Sequence, residues 1–156
     1  MTIDAAQFSK FRNHCFFGEM AQAKKMLDDG FDIHGRNHQG LTPLHAAAEG
    51  SLLGVVDLLL AAGVDVNPRC ALQTTPLHTA CCFGGLRFET VKRLLDAGAD
   101  PTVRNLNGLT PIECDESGFS MRYMRSKAMA ASLEVALSDS PLNPQGASAA
   151  GAGPSL

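Results

Sequence analysis

The chain has 156 residues, of which 45% are hydrophobic and 19% charged, and its formal net charge at pH 7 is −3. This length predicts about one domain. Nucleic acids and anionic membranes attract clustered Lys and Arg, so the slightly acidic balance favours neither as a partner. The longest apolar run, within residues 52–64, is too short to span a bilayer. An N-terminus without a basic and apolar leader predicts no signal peptide, and five irregularly spaced cysteines predict free thiols in a reducing compartment, the cytoplasm or nucleus.

Two sequence markers repeat in parallel along the chain. Thr-Pro pairs begin at Thr42, Thr75 and Thr110, which are separated by 33 and 35 residues. The same two separations relate the glycines of the segments LDDG, LAAG and LDAG, which are Gly30, Gly63 and Gly98. A period in this range predicts stacked supersecondary units that bury their apolar faces against one another. The markers divide the chain into four units, about 9–41, 42–74, 75–109 and 110–137.

The first unit is degenerate, with Ser9 in the place of the threonine. Counting from that residue, Cys15 occupies the position that Ala48 and Cys81 hold in the next two units. A small apolar residue is expected there, against the neighbouring helix, and a cysteine behaves as a small hydrophobe. The register therefore predicts that Cys15 and Cys81 are packing residues.

The two central units each predict a pair of short helices. Thr42 and Thr75 are expected to cap the first helix, each hydroxyl accepting a backbone N–H, and the following proline fits the first helical position. The second helix, in LLGVVDLLLAAG or FETVKRLLDAG, is amphipathic and is expected to end at a left-handed glycine, Gly63 or Gly98. The third unit carries two extra residues near 85–87. Stacking is expected to bury four leucines in one core, Leu58, Leu59, Leu94 and Leu95.

The last unit differs from the central ones because Glu113 stands where they have histidine. Its second helix is predicted over about 120–137, with methionines, alanine and leucines available for a buried stripe. From residue 138 the chain reads SDSPLNPQGASAAGAGPSL, which is too poor in apolar residues to fold. The sequence thus predicts a folded domain, 1–137, and a disordered tail, 138–156.

The segments GLTPLHAAAEGSLLGVVDLLLAAGVDVN and TTPLHTACCFGGLRFETVKRLLDAGAD resemble the ankyrin repeat, and the resemblance covers roughly residues 8–137. It implies an all-α repeat solenoid of about four stacked helix-turn-helix units with β-hairpin-like finger loops and degenerate terminal caps. It also implies a protein that binds other proteins through a concave side, formed by the finger tips and the first helices. The family brings no catalytic residues and no cofactor.

The stretch LHTACCFGG places His78 four residues before Cys82 and raises the possibility of a reactive site. The resemblance implies instead that His45 and His78 are structural and bond the backbone of a neighbouring unit. The spacing of the His and Cys residues does not fit a zinc site, which needs about four converging ligands. Sequence alone leaves a Cys–His nucleophile open, although no motif of a known hydrolase or phosphate-binding loop is present.

The resemblance implies recognition positions at the end of each first helix and on the finger tips. On the helices these are Phe16, Phe17, Cys82 and Phe83, with Glu49 and Gly50 as the polar exception. On the fingers they are His38, Gln39, Leu41, Ala71, Leu72, Thr74, Leu106, Asn107 and Leu109. Such positions are commonly polar, so several Phe and Leu residues indicate a contact site. The alternative is that the phenylalanines fold back into the core or under a finger.

One arginine recurs in each finger, at Arg36, Arg69 and Arg104. The row predicts either a basic stripe that meets acidic side chains of a partner or residues that stabilise the fingers; three charges are too few to indicate nucleic acid. Two candidate modification sites are Asn67, which matches a Leu-plus-Asp-Val-Asn pattern of asparaginyl hydroxylation in some ankyrin proteins, and Ser140, which precedes a proline. An Asn that only stabilises the finger turn is the alternative for Asn67.

The sequence therefore predicts a non-catalytic interaction module, monomeric on its own, that serves as an adaptor, a subunit or a stoichiometric regulator. The alternative is an inhibitor that binds a kinase or another enzyme directly. A structural piece of a large assembly and a Cys/His-dependent enzyme are further alternatives from other classes.

Overall fold

The computed structural model describes residues 2–82 and 88–114. Within them lie six helices and no strand, which confirms the predicted all-α repeat class. The helices form three successive pairs: α1 (Ala5–Phe16) and α2 (Met20–Asp28), α3 (Pro43–Gly50) and α4 (Leu53–Ala61), α5 (Pro76–Cys82) and α6 (Phe88–Asp96). The predicted helix over 120–137 and the predicted tail, 138–156, lie outside the described residues.

The helices pack in two rows. The first helices of the pairs, α1, α3 and α5, contact one another in order, and so do the second helices, α2, α4 and α6. The core lies between and within these rows, where the largest fully buried aliphatic side chains are Leu44, Leu77, Val55, Leu59 and Leu94. None of these described helices is long and apolar enough to cross a membrane.

The first helix begins four residues before Ser9, the position that the repeat register aligns with the threonines. Asp4 caps it, with its Oδ2 accepting from Gln7 N at 3.2 Å, whereas Ser9 lies exposed inside the helix. Ser9 holds the repeat position of the threonine without being an N-cap, since no proline follows it and Asp4 is a favourable N-cap residue. Residues before the helix lie along the first finger, since Ile3 N donates to Arg36 O at 2.9 Å.

The repeat register holds in spite of that earlier start. Cys15, Ala48 and Cys81 are all buried, as the register predicts for small packing residues. Burial raises the pKa of Cys15 to about 12, with a smaller contribution from the charge of Glu49. The Cys15 thiol therefore stays protonated near neutral pH and is part of the core.

One of the four predicted core leucines is not buried. Leu59, Leu94 and Leu95 are buried, but Leu58 is 39% exposed on α4. The α4 sequence LGVVDLLLA is apolar nearly all round, so its composition does not select one face. Burial of Val55 and Leu59, one helical turn apart, sets the inward face and leaves Leu58 at its edge.

Glycines end the second helices as predicted. Gly63 and Gly98 have φ of +76° and +93°, the left-handed conformation that glycine adopts without a Cβ penalty. Gly50 serves a different purpose, because a Cβ there would lie 2.1 Å from the carbonyl oxygen of Cys15. The close packing of α3 on α1 therefore requires a glycine at position 50.

Candidate functional site

Each of the two repeat histidines connects the first helix of its unit to the end of the finger that follows in the chain. His45 Nδ1 lies 3.1 Å from Thr42 N and 2.9 Å from Thr42 Oγ1, and its Nε2 lies 3.1 Å from Thr74 O. A backbone N–H can only donate and a carbonyl can only accept, so the ring is neutral with its proton on Nε2. His78 repeats this arrangement with Thr75 and the carbonyl of Leu109. Both histidines therefore have the implied scaffold role, but each bonds the end of the finger of its own unit, at Thr74 or Leu109, and the implied bond to a neighbouring unit was wrong.

The predicted capping role holds at Thr42, where Thr42 and His45 form a capping box, whereas the Thr75 hydroxyl bonds the His78 ring more closely than the backbone. Thr75 Oγ1 lies 2.9 Å from His78 Nδ1 but 3.5 Å from His78 N, at the outer limit of a hydrogen bond. The predicted hydroxyl-to-backbone cap is therefore a minor part of the contact at Thr75. The hydroxyl bonds the ring because the repeat places the histidine three residues after the threonine, about one helical turn along.

Neither histidine suits proton transfer near neutral pH. Burial lowers the pKa of His45 to about 4, and burial also lowers the pKa of His78. Both ring nitrogens of His78 already have backbone partners, so this ring is not available as a base for Cys82. Within residues 2–82 and 88–114 no group of three or more His, Cys, Asp or Glu side chains could hold a metal ion.

Glu113 gives the last unit a different connection at its start. Its Oε2 accepts from Thr110 N at 2.8 Å, and Thr110 Oγ1 accepts from Glu113 N at 3.3 Å, which is a capping box. Hydrogen bonds from Thr110 and the charge of Arg104, at 3.1 Å, lower the pKa of the Glu113 carboxyl. An ionised carboxylate cannot donate a hydrogen bond. Glu113 therefore cannot make the bond that His45 and His78 donate from Nε2 to a finger carbonyl.

The finger tips are joined by backbone hydrogen bonds. Ala71 N donates to Gln39 O at 2.8 Å, and Leu106 N donates to Leu72 O at 3.0 Å. Each finger is also closed by a backbone bond of 3.0 Å, in the pairs Asn37–Leu41, Cys70–Thr74 and Asn105–Leu109. The three tips therefore form one hydrogen-bonded row rather than three separate loops.

Most of the predicted finger positions are exposed on this row. Leu72 is 64% and Leu106 is 66% exposed, although each is a large aliphatic side chain. Leu109 is 39% exposed, and His38, Gln39, Ala71 and Asn107 are exposed as well. Leu41 and Thr74 are half-buried, so the partner-facing role predicted for them is restricted to part of each side chain. We call the tip residues 38–39, 71–72 and 106–107 the finger-tip row.

A groove separates the first two finger tips. Its volume is about 300 Å³, and it is lined by Gln39, Leu41, Cys70, Ala71, Leu72 and Thr74. Sequence reasoning placed five of these residues on the surface but missed Cys70. The signal was present, because Cys70 stands where the other two fingers have asparagine.

The recognition positions predicted on the first helices include exposed side chains and one, Glu49, that already bonds another residue of the chain. Phe16 and Phe17 are 54% and 71% exposed and pack edge to face, with ring centroids 5.5 Å apart, so they do not fold back into the core. Cys82 is exposed, and Phe83 lies outside the described residues. Glu49 is bound by the Arg12 guanidinium, whose Nε lies 2.6 Å from Glu49 Oε2. The middle unit therefore uses this position to join α3 to α1.

The arginine row stabilises the fingers. Arg36 Nη1 donates to Arg69 O at 2.9 Å and to Gly40 O at 3.4 Å, which links the first finger to the second. Arg104 donates to Gly108 O in its own finger. Arg69 makes a longer contact, 3.4 Å, with the side chain of Gln73. All three guanidinium groups remain exposed, so they also give the fingers a positive charge.

The Asn67 side chain connects two units. Its Nδ2 donates to Gly98 O at 3.2 Å and its Oδ1 accepts from Asp100 N at 2.8 Å. Asn67 therefore has a structural role, but its side chain bonds the backbone that follows α6 in the next unit and not the turn of its own finger. Ser140 lies outside the described residues.

These features agree with the comparison to known families. A model of ankyrin repeats, in three copies, matches residues 13–105, so the chain belongs to the ankyrin repeat family. Members of this family generally mediate protein–protein interaction and are typically non-catalytic.

Several curated proteins are similar to the repeat region. BCL-6 corepressor-like protein 1 of Homo sapiens is 32% identical over 96 residues, which are 62% of this chain and 5% of that protein. Inactive serine/threonine-protein kinase TEX14 of Bos taurus is 35% identical over 94 residues, 60% of this chain and 6% of that protein. Ankyrin repeat and SOCS box protein 11 of Danio rerio is 34% identical over 116 residues, 74% of this chain and 38% of that protein. The chain thus spans only a small part of the length of these relatives.

Proposed function

We propose that this chain is a non-catalytic protein-binding module whose partner docks on the finger-tip row. The observation that carries the proposal is the pair of neighbouring leucines, Leu72 and Leu106, which are about two-thirds exposed while their backbones are hydrogen-bonded to each other. Exposed large apolar side chains that sit together mark contact sites more often than isolated ones do.

The rigidity of the row supports the same proposal. Binding is weakened by the free energy of ordering mobile loops, and less of this cost remains when the loops are ordered beforehand. The inter-tip bonds at Gln39–Ala71 and Leu72–Leu106, together with the bonds of Arg36, order the fingers without a partner. The module would act as an adaptor, a subunit or a stoichiometric regulator in the cytoplasm or nucleus, and direct inhibition of a bound enzyme is one form of such regulation.

The exposed aromatic pair extends the proposed contact region. Phe16 and Phe17 present two rings at the end of α1, and aromatic anchors contribute strongly to protein interfaces. Cys82 is the exposed counterpart in the third unit. We expect these helix positions to form secondary contacts, which a Phe17→Ser variant tests separately from the finger tips.

The proposal is tested by co-purification from the native cell with a tagged chain. A Leu72→Glu/Leu106→Glu double variant places two carboxylates on the finger-tip row, and the matched control is Leu58→Glu, at an exposed leucine of α4. Thermal unfolding first verifies that both variants are folded. We expect the double variant to lose its partner while the control retains it. Equal recovery by the folded double variant would exclude the finger-tip row as the binding surface.

A further inference from the structure

The middle finger departs from the other two at the position of Cys70. In the first finger Asn37 Oδ1 accepts from two backbone N–H groups, those of Gln39 and Leu41, each at 2.9 Å. Asn105 makes the same pair of bonds in the third finger. A thiol is only a weak acceptor, and Cys70 Sγ instead lies 2.7 Å from Thr74 Oγ1. The middle finger therefore keeps its backbone turn but lacks the two side-chain hydrogen bonds that stabilise the other two.

The same finger departs a second time at Gln73. The equivalent residues of the other fingers are Gly40 and Gly108, with φ of +77° and +75°. Gln73 adopts the same left-handed conformation, φ +57°, although its Cβ makes that conformation unfavourable. Positions where a sequence breaks local rules that its own repeats obey are candidates for function rather than stability.

Cys70 changes the chemistry of the groove between the first two finger tips. It replaces the carboxamide of an asparagine with a thiol that is almost fully buried, so the groove is lined by sulfur and aliphatic groups from Cys70, Leu41, Ala71 and Leu72. None of the lining residues is charged. A cavity of about 300 Å³ with such walls suits an apolar side chain.

Two positive charges flank this groove. The Arg36 guanidinium donates to Gly40 O and Arg69 O, which immediately precede the groove residues Leu41 and Cys70. Arg69 directly precedes the groove residue Cys70 in the chain, and its guanidinium contacts the side chain of Gln73. Neither guanidinium forms a salt bridge with a carboxylate of the described residues, and both are exposed. Their remaining N–H donors are suited to carboxylates of a partner.

We propose, building on the protein-binding role above, that the groove holds one apolar side chain of an extended acidic segment of the partner. The apolar side chain contacts Leu41, Cys70 and Leu72, and carboxylates next to it pair with Arg36 and Arg69. The partner is thus recognised as an acidic peptide with a central aliphatic or aromatic anchor. The departure at Cys70 is explained, because it makes the groove apolar at the expense of two side-chain hydrogen bonds that would stabilise the finger.

Synthetic peptides of about 11 residues test this recognition directly, because they hold the anchor, its flanking charges and a short spacer on each side. The probe has a central Leu with two Glu on each side, in an otherwise Gly/Ser sequence. One matched peptide replaces the four Glu by Lys, and another replaces Leu by Ser. Each is titrated into the isotope-labelled full chain while NMR follows the backbone amides. We expect the acidic Leu peptide to shift the amides of Ala71, Leu72 and Gln39, with at least about tenfold weaker binding by each matched peptide.

Two variants separate the groove from the rest of the finger-tip row. Ala71→Glu places a carboxylate into the groove, and Asn107→Glu adds the same charge at the exposed tip of the third finger. We expect Ala71→Glu to weaken binding of the acidic Leu peptide about tenfold and Asn107→Glu to weaken it about twofold or less. Equal weakening by both variants, or equal binding of the Glu and Lys peptides, would overturn the groove proposal.

The outcomes also distinguish this proposal from the general function. If no peptide shifts the groove amides but the Leu72→Glu/Leu106→Glu variant still loses its native partner, the groove proposal is wrong and the protein-binding role stands. If that variant also keeps its partner, both are wrong.

Discussion

The ring of His45 donates from Nε2 to the carbonyl of Thr74, 3.1 Å away, and so ties the first helix of its unit to the end of the finger that follows in the chain. Its other nitrogen accepts from Thr42 N at 3.1 Å. Because both partners are backbone groups with fixed polarity, only the neutral ring satisfies them. The position of the finger tips thus depends on one protonation state.

This dependence predicts a loss of stability at acidic pH. The pKa of His45 is about 4 in the folded protein against 6.5 for an ordinary histidine, because burial disfavours the charged ring. As pH falls, His45 is therefore protonated in the unfolded chain before it is protonated in the folded protein. The contribution of neutral His45 is complete above pH 6.5 and is lost as pH falls toward 4, to a total of about 3 kcal/mol.

Urea unfolding between pH 7.5 and 4 measures this loss, with His45→Gln as the control. Glutamine can accept and donate hydrogen bonds but does not titrate, and the variant keeps every carboxylate of the protein. We expect the pH dependence of the unfolding free energy to be clearly shallower in His45→Gln. A variant with the same slope as the natural chain would show that His45 is not the titrating group.

The contact between Gly50 and the Cys15 carbonyl predicts a steric effect. A Cβ at position 50 would lie 2.1 Å from that oxygen, so Gly50→Ala should cost about 1–3 kcal/mol of unfolding free energy in spite of the better helix propensity of alanine. Gly54→Ala is the control, because its Cβ would meet only the flexible end of Met20. Chemical denaturation should show a small effect for Gly54→Ala, and equal effects would contradict the close packing of α3 on α1.

The two adjacent leucines of α4 predict opposite outcomes on truncation. Leu59 is 1% exposed, so Leu59→Ala should destabilise the fold by about 2–5 kcal/mol. Leu58 is 39% exposed, so Leu58→Ala should cost less than about 1 kcal/mol. Denaturant unfolding of both variants checks the register of the helix, which would be wrong if the order of the two effects were reversed.

The middle finger predicts a trade between stability and recognition. Cys70→Asn restores the two side-chain hydrogen bonds that Asn37 and Asn105 make in their fingers. These bonds should raise the unfolding free energy by about 1 kcal/mol. The same change places a carboxamide in the groove, so binding of the acidic Leu peptide should weaken. A variant that gains stability with undiminished peptide binding would show that Cys70 does not shape recognition.

Gln73→Gly isolates the effect of the backbone. Glycine removes the penalty of the left-handed conformation, so the unfolding free energy should rise by roughly 0.5–1 kcal/mol. Residue 73 does not line the groove, so peptide binding should stay unchanged. Thermal unfolding and the same peptide titration provide the two readouts. Loss of peptide binding in a stabilised Gln73→Gly chain would mean that the Gln73 side chain itself contacts the partner.

The repeat scaffold could be predicted from the sequence because its residues recur. The Thr-Pro pairs and the glycines set one register, and that register correctly placed Cys15 and Cys81 in the core. The family resemblance correctly implied that His45 and His78 are scaffold residues, although each bonds the finger of its own unit. The start of α1 could not be predicted in this way, since the first unit lacks the Thr-Pro pair and the helix extends to Asp4. Burial on α4 was ambiguous because nearly every side chain of that helix is apolar.

The candidate site was predictable only in outline. The exposed positions of Leu72, Leu106, Phe16 and Phe17 follow from the register. The groove does not, because it forms between two fingers and depends on how the inter-tip bonds set their separation. Its one sequence signal is Cys70, which stands out only when the three fingers are compared position by position.

Site-specific photocrosslinking tests the binding surface most directly. A photoreactive benzoylphenylalanine is placed at position 72, 106 or 58 of the full chain, and adducts formed in the native cell are identified by mass spectrometry. We expect positions 72 and 106 to give adducts with the same partner protein, and position 58, exposed on α4, to give none. An adduct at position 58 with none at 72 and 106 would contradict a partner bound on the finger-tip row.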